Sequence, residues 1–286
     1  MSNDRYPNKQ FSEQDITDLL PAMKIGILGT VTPDGLPHVT LITTLMAANP
    51  GEVVWGQFME GVSKKFIKNN PKTGFLIMGL DKSVWTGQAE YTRSDKHGKD
   101  YDYYNNQPLF RYNSYFGVHT VHYMDLKGHS GKHPLPMNQV IFAAIQTMIA
   151  KAFTFKKSKK PVMNQWTQAF FDKIDNLKFL CYVDAEGYPV VIPVIQAQSL
   201  DPEHLCFSFG AFGDDLKAIP PYTSVAILSM AISSMEDVLV RGTYQGSKRV
   251  CGIQIGVLEV DWVYNSMPPK PQQIYPPVPL EAITEF

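Results

Sequence analysis

The chain has 286 residues, 44% of them apolar and 19% charged, which is enough for two domains with real cores and excludes a disordered protein. A formal net charge of −1 lacks the basic excess of a general nucleic-acid binder, and the most apolar stretch, Val140–Ala150, is broken by Gln146 and Thr147 and too short for a bilayer, so neither nucleic acid nor membrane is an expected partner. The polar start, MSNDRYPNKQFSEQ, has no secretory pattern, and the three cysteines (Cys181, Cys206, Cys251) sit in strand-like runs without metal spacing. They read as buried reduced thiols, and the expectation is a cytoplasmic protein.

Ser12 followed by Asp15 has the form of a capping box and predicts a helix through Met23. Next, ILGTVTPDGLPHVT (27–40) places Asp34-Gly35 between two β-rich runs, a hairpin signal because glycine accepts the positive φ of such turns. Beyond the turn, Leu36, His38, Thr40 and Ile42 fall on one side and Pro37, Val39, Leu41 and Thr43 on the other. A short helix is predicted over Ser63–Asn69, ending where Asn70-Pro71 forbids continuation. Strand-like NPKTGFLIMG (70–79) and VWTGQAEY (84–91) lead to an aromatic segment, YDYYNNQPLFRYNSYF (101–116), and a closing strand, GVHTVHYMDL (117–126). A helix over Asn138–Phe153 carries Ile141, Ile145, Met148, Ile149 and Ala152 as an apolar stripe, and its basic tail KKSKK (156–160) begins a linker.

From there the chain repeats itself. FLCYVDAEGYPVVI (179–192) matches 27–40, with Gly187 on Gly35 and Pro189 on Pro37, each 152 positions on. PPYTSVAILS (220–229) runs parallel to 70–79, LVRGTYQG (239–246) parallels 84–91 with Gly242 opposite Gly87, and GIQIGVLEVDWV (252–263) closes the unit. A lead-in helix recurs through Trp166, Phe170, Phe171 and Ile174. Antiparallel strands in this number, with few helices outside them, predict a mainly β chain of two small barrels. The expected division is 1–135 for the first barrel, 136–162 for the linker helix and basic linker, 163–266 for the second barrel and 267–286 for a proline-rich tail.

TVTPDGLPHVTLITT (30–44), GEVVWGQF (51–58), SKKFIKNNPKTGFLI (63–77) and WTGQAEYT (85–92), in this order and spacing, resemble the FMN-binding split-barrel superfamily typified by pyridoxamine 5′-phosphate oxidase. The resemblance covers most of the first repeat and part of the second, and implies two tandem split barrels and a flavin-dependent oxidoreductase. It implies flavin contacts from Thr40, Leu41, Ile42 and Thr43, polar contacts from Trp55, Gly56 and Gln57, and a phosphate grip from Ser63, Lys64 and Lys65. The family's basic residues on the first flavin strand are here Thr40 and Leu45, so pyridoxamine phosphate oxidation itself is not implied. Single-repeat relatives pair as dimers around FMN. The tandem chain therefore implies an intramolecular pseudo-dimer, with a homodimer of whole chains left open.

Physical chemistry supports the grip independently. A phosphate dianion needs fixed donors and a cation, and Ser63, Lys64 and Lys65 stand at a predicted helix start, where unpaired N–H groups attract anions. Taken alone, a Lys-Lys pair on a helix is usually just solvated. The second repeat offers Gly213-Asp214-Asp215-Leu216-Lys217 instead, where two carboxylates would repel a phosphate, so one FMN per chain is expected. The aromatic segment reads as packing over a neighbouring domain; its sharper alternative is a lid that stacks over the flavin, with Arg111 recognising an anionic substrate. His119 and His122 would point to opposite faces of a strand, and no metal is expected. No nucleophile elbow, phosphate-binding lysine loop or dinucleotide glycine fingerprint occurs. A non-enzymatic flavin or electron-transfer module, and a barrel holding haem or a deazaflavin, remain as alternatives; the expected partner is a small-molecule substrate or a redox protein.

Overall fold

A computed structural model describes residues 5–59, 61–108, 117–154, 160–234, 236–266 and 271–279. The elements of the first repeat are α1 (Glu13–Leu19), β1 (Lys24–Val31), β2 (Pro37–Leu41), β3 (Met46–Asn49), β4 (Glu52–Gln57), α2 (Val62–Asn69), β5 (Lys72–Gly79), β6 (Ser83–Asp95), α3 (Lys99–Asn106), β7 (Thr120–His129) and β8 (His133–Pro134). Those of the second are α4 (Met137–Ala152), α5 (Gln165–Asp172), β9 (Leu177–Val183), β10 (Pro189–Pro193), β11 (Gln198–Asp201), β12 (His204–Ser208), α6 (Gly213–Lys217), β13 (Ser224–Ala231), β14 (Glu236–Val250), β15 (Ile253–Asn265) and β16 (Gln272–Tyr275). The chain separates into two compact units, Met1–Leu135 with Val183–Val191, and Pro136–Tyr182 with Ile192–Phe286.

The sheets have one topology. Strand order is β2-β1-β5-β6-β7-β4-β3 in the first and β10-β9-β13-β14-β15-β12-β11 in the second, with β8 and β16 added beside β6 and β15. The fold is mainly β: two tandem split barrels with flanking helices. Both expected hairpin turns form, with Gly35 at φ 77° and Gly187 at φ 83°, values that only glycine adopts freely.

Hydrogen bonds fix how the repeats correspond. Leu126 N donates to Gly51 O at 2.9 Å and Val260 N to Glu203 O at 2.8 Å; Tyr91 N donates to Pro71 O at 2.8 Å and Tyr244 N to Thr223 O at 2.9 Å. Gly51/Glu203 and Pro71/Thr223 are both 152 apart, so the intervening loops have equal lengths. In the strands, Ile27 pairs with Leu76 and Phe179 with Leu228, which corrects the alignment of 70–79 with 220–229 by two residues. The bulge at Gln88/Ala89 recurs at Arg241/Gly242, so Gly242 corresponds to Ala89 and not to Gly87. Past that bulge the repeats diverge in length. The β6–β7 connection carries α3, whereas β14 and β15 join through a tight turn at Cys251-Gly252, both at positive φ. Cys251 is therefore exposed on a turn, contrary to the expectation of three buried thiols; Cys181 and Cys206 are buried.

The core of the first barrel is built from Phe11, ahead of α1, and from Leu28, Trp55, Phe75, Ile77, Trp85 and Met124 among others on its strands. The capping box of α1 forms, with Asp15 N donating to Ser12 Oγ at 3.1 Å and Ser12 N to Asp15 Oδ2 at 3.0 Å. The helix stops at Leu19, four residues before the expected Met23, because Pro21 cannot extend it. Asp15 also accepts from Trp85 Nε1 at 2.8 Å, pinning the helix to the barrel.

In the second unit, α5 is capped by Asn164 and ends at Asp172, so Ile174 lies beyond it and is exposed. Helix α4 buries its small residues and exposes its large ones. Val140, Ala143, Ala144, Thr147 and Ala150 face inward, while the stripe of Ile141, Ile145, Met148 and Ile149 faces outward. Small residues win the inner face because the sheet comes close: Thr147 Oγ1 accepts from Ser208 N at 2.9 Å, and Ser208 Oγ donates to Ala143 O at 2.8 Å. Among the described residues no helix is long and apolar enough to cross a membrane.

Lys178 in β9 is only 1% exposed, donating to the carbonyls of Lys173 (2.8 Å) and Ile195 (3.1 Å). Burial lowers its pKa to about 8. In the unfolded chain the group keeps its proton to about pH 10.4, so between about pH 8 and 10 the unfolded state binds more protons and this residue's contribution to stability rises with pH. Lys178→Met removes that gain. The variant's melting temperature, measured relative to wild type, is expected to fall as pH goes from about 7.5 to about 9.5; a pH-independent difference would refute the depressed pKa.

Candidate functional site

The residues expected to line a flavin meet around one turn of the first barrel. Thr40 and Leu41 end β2, and Ile42 and Thr43 enter the turn that follows; all four are half-buried. Ile42 N donates to Gly26 O at 2.6 Å, and Leu45 N to Ile42 O at 3.2 Å. Gly26 must be glycine, because a Cβ there would lie 2.1 Å from Ile42 O. Thr44 then ties the turn to β4: its Oγ1 donates to Gly56 O at 2.8 Å and accepts from Gly56 N at 3.1 Å. From α3, Tyr104 donates its hydroxyl to Thr44 O at 2.6 Å. Three elements thus fix one short piece of backbone.

On β4 the expected residues divide by face. Trp55 points into the barrel core, stacked on His122 at 4.0 Å between ring centroids. Among the described residues its buried indole Nε1 has no hydrogen-bond partner. Gly56 faces outward, where a Cβ would meet Val118 Cγ2 at 2.7 Å. Gln57 Oε1 lies 2.9 Å from His122 Nε2, which carries the shared proton because an amide oxygen only accepts.

Among the described residues no side chain caps helix α2 at Gly61, and its first turn holds no acidic residue. Its first N–H groups and its dipole are therefore available to an anion. The lysine pair separates here: Ser63 and Lys64 are buried, Lys64 being 7% exposed, whereas Lys65 is exposed. Lys64 Nζ donates to Met59 O at 2.5 Å, which turns the ammonium toward the start of the helix. Phe66 meets His38 edge-on at 5.2 Å and so packs α2 against β2. The second barrel differs at the two buried positions. With loops of equal length, Ser63, Lys64 and Lys65 correspond to Asp215, Leu216 and Lys217; Leu216 is 0% exposed, and the five-residue α6 has Asp214 and Asp215 in its first turn.

No protein-family profile matches the sequence, and no curated protein matches it. Solved structures do. An FMN-binding protein from Syntrophomonas wolfei subsp. wolfei aligns at 13% identity and a TM-score of 0.34, over 41% of this chain and 82% of its own. HupZ of Group A Streptococcus aligns at 13% identity and a TM-score of 0.34, over 42% and 92%. An F420 reductase aligns at 15% identity and a TM-score of 0.33, over 42% and 98%. Each spans about two-fifths of this chain.

A separate cleft of about 400 Å³ opens elsewhere on the first barrel, lined by Leu19, Met23, Lys24, Leu80, Trp85 and Lys132 among others; none of the expected flavin residues borders it. Lys24 is buried there, donates to Pro21 O at 2.7 Å, and has its pKa lowered to about 8 by burial. Sequence reasoning missed Thr44, Tyr104 and His122 as the residues that support the turn and β4. Only Tyr104 had a visible signal, the aromatic segment, whose described helix α3 packs against its own barrel where a neighbouring domain was expected. Arg111 lies outside the described residues.

Proposed function

We propose that the first barrel binds FMN, with the phosphate at Ser63, Lys64 and Lys65 and the ribityl chain and ring along Thr40, Leu41, Ile42 and Thr43. Trp55, Gly56 and Gln57 act mainly by holding that turn and the inner wall in place. The protein is then a flavin-dependent oxidoreductase working on a small molecule or redox partner in the cytoplasm. The observation that carries this reading is a lysine kept buried at an uncapped helix start, where the second repeat has a buried leucine. A helix N-terminus with a hydroxyl and a lysine suits a phosphate dianion. The flavin would supply electron transfer, and the chain would bind and orient it. Asp215 and Leu216 leave the second barrel without a grip, so one FMN binds per chain.

Absorbance of the freshly purified chain tests this directly. Flavin bands in the blue and near-ultraviolet at one FMN per chain are expected; an intense Soret band, or no flavin uptake on reconstitution, would overturn it. Turnover with a reduced nicotinamide and an electron acceptor then separates an oxidoreductase from a flavin carrier.

A further inference from the structure

The outward face of α4 is unexplained by the barrel it packs on. Ile141, Phe142, Ile145, Met148 and Ile149 are each between 42% and 57% exposed along this 16-residue helix, and Phe153 at its end is more exposed still. Ile141, Ile145, Met148 and Ala152 follow the four-three-four spacing of a helix–helix seam, with Phe142 and Ile149 flanking it. The helix has no acidic residue, and its single basic one, Lys151, is taken up by Asp172 at 2.7 Å.

We propose that this face is a self-association surface, on which a second copy of the chain lays its own α4 antiparallel, with a two-fold axis passing close to Ile145. The pattern is self-complementary: rotation about that axis puts Ile141 of one copy against Ile149 of the other, and Ile145 against itself. A face without charge offers no electrostatic handle to a charged partner but matches its own kind. Half-exposed side chains of this size offer on the order of 600 Å² of apolar surface per copy, so a symmetric pair removes roughly 1,200 Å² in total, the lower limit of a specific interface. Monomers rarely leave a contiguous apolar patch of that size open.

Sedimentation of the full chain from about 1 μM to about 100 μM tests the idea, with the expected particle twice the 32.2 kDa chain mass. Ile145→Glu and Ile145→Lys are each expected to weaken the pair by at least about 100-fold, because like charges would meet on the axis, with an unchanged circular dichroism spectrum. An equimolar mixture of the two variants should pair again. A wild-type monomer across the whole range overturns the proposal. So does a dimer that either variant leaves intact, or a mixture that stays monomeric.

Discussion

Lys64→Ala is expected to weaken FMN binding by about 10- to 100-fold, while Lys65→Ala changes it by less than about threefold, if the first barrel holds the phosphate as proposed. The asymmetry follows from burial. Lys64 is 7% exposed and lies at the start of α2, where a hydrogen bond to a charged partner contributes about 1.5–3 kcal/mol. Lys65 stands in solvent, where salt and water screen it. Lys64→Met keeps the aliphatic stem and so separates packing from charge: it should preserve the melting temperature but not the affinity. Quenching of flavin fluorescence on titration measures all three variants. Equal affinities for wild type and Lys64→Met would remove the phosphate grip from the account.

Phe75→Ala is expected to cost roughly 3–5 kcal/mol, a large share of the 5–15 kcal/mol typical of a folded protein. Phe75 is 0% exposed in the centre of the first barrel, and it faces its cross-strand partner so closely that a Cβ on Gly87 would lie 2.3 Å from Phe75 Cζ. Removing the ring leaves a cavity that glycine cannot fill. In the second barrel the same cross-strand pair is Ile227 and Val240, two medium side chains in place of one large and one absent. Urea unfolding followed by tryptophan fluorescence reads the effect, and a loss below about 1 kcal/mol would mean that the barrel collapses around the gap.

That exchange of volumes shows why the repeat was legible and its finer register was not. The turn glycines at 35 and 187 are required by positive φ, and they aligned correctly. Gly87 is required by the ring across from it, a tertiary reason that the second copy does not share, and it drew Gly242 into a false match. Strands invite this error because a slip of two residues returns every side chain to the same face, leaving the apolar pattern intact. Helix α4 shows a different effect: its large residues form the obvious stripe in the sequence, yet close approach to β12 puts the small ones on the inner face. In the candidate site, the sequence revealed the lysine pair and the strand beside it. It could not reveal that only Lys64 is buried, or that Trp55 turns inward, since both depend on where β4 and α2 sit against the rest of the barrel.

The constant spacing of 152 between the copies, from their first hairpins through the end of their fifth strands, has a genetic consequence. Any segment in that span can be exchanged for its counterpart without adding or removing a codon. Recombination between the halves would therefore yield chains of native length, in which each half could inherit the other's pocket chemistry while keeping its own frame. The two copies differ at most positions of this stretch, yet those differences leave its length unchanged.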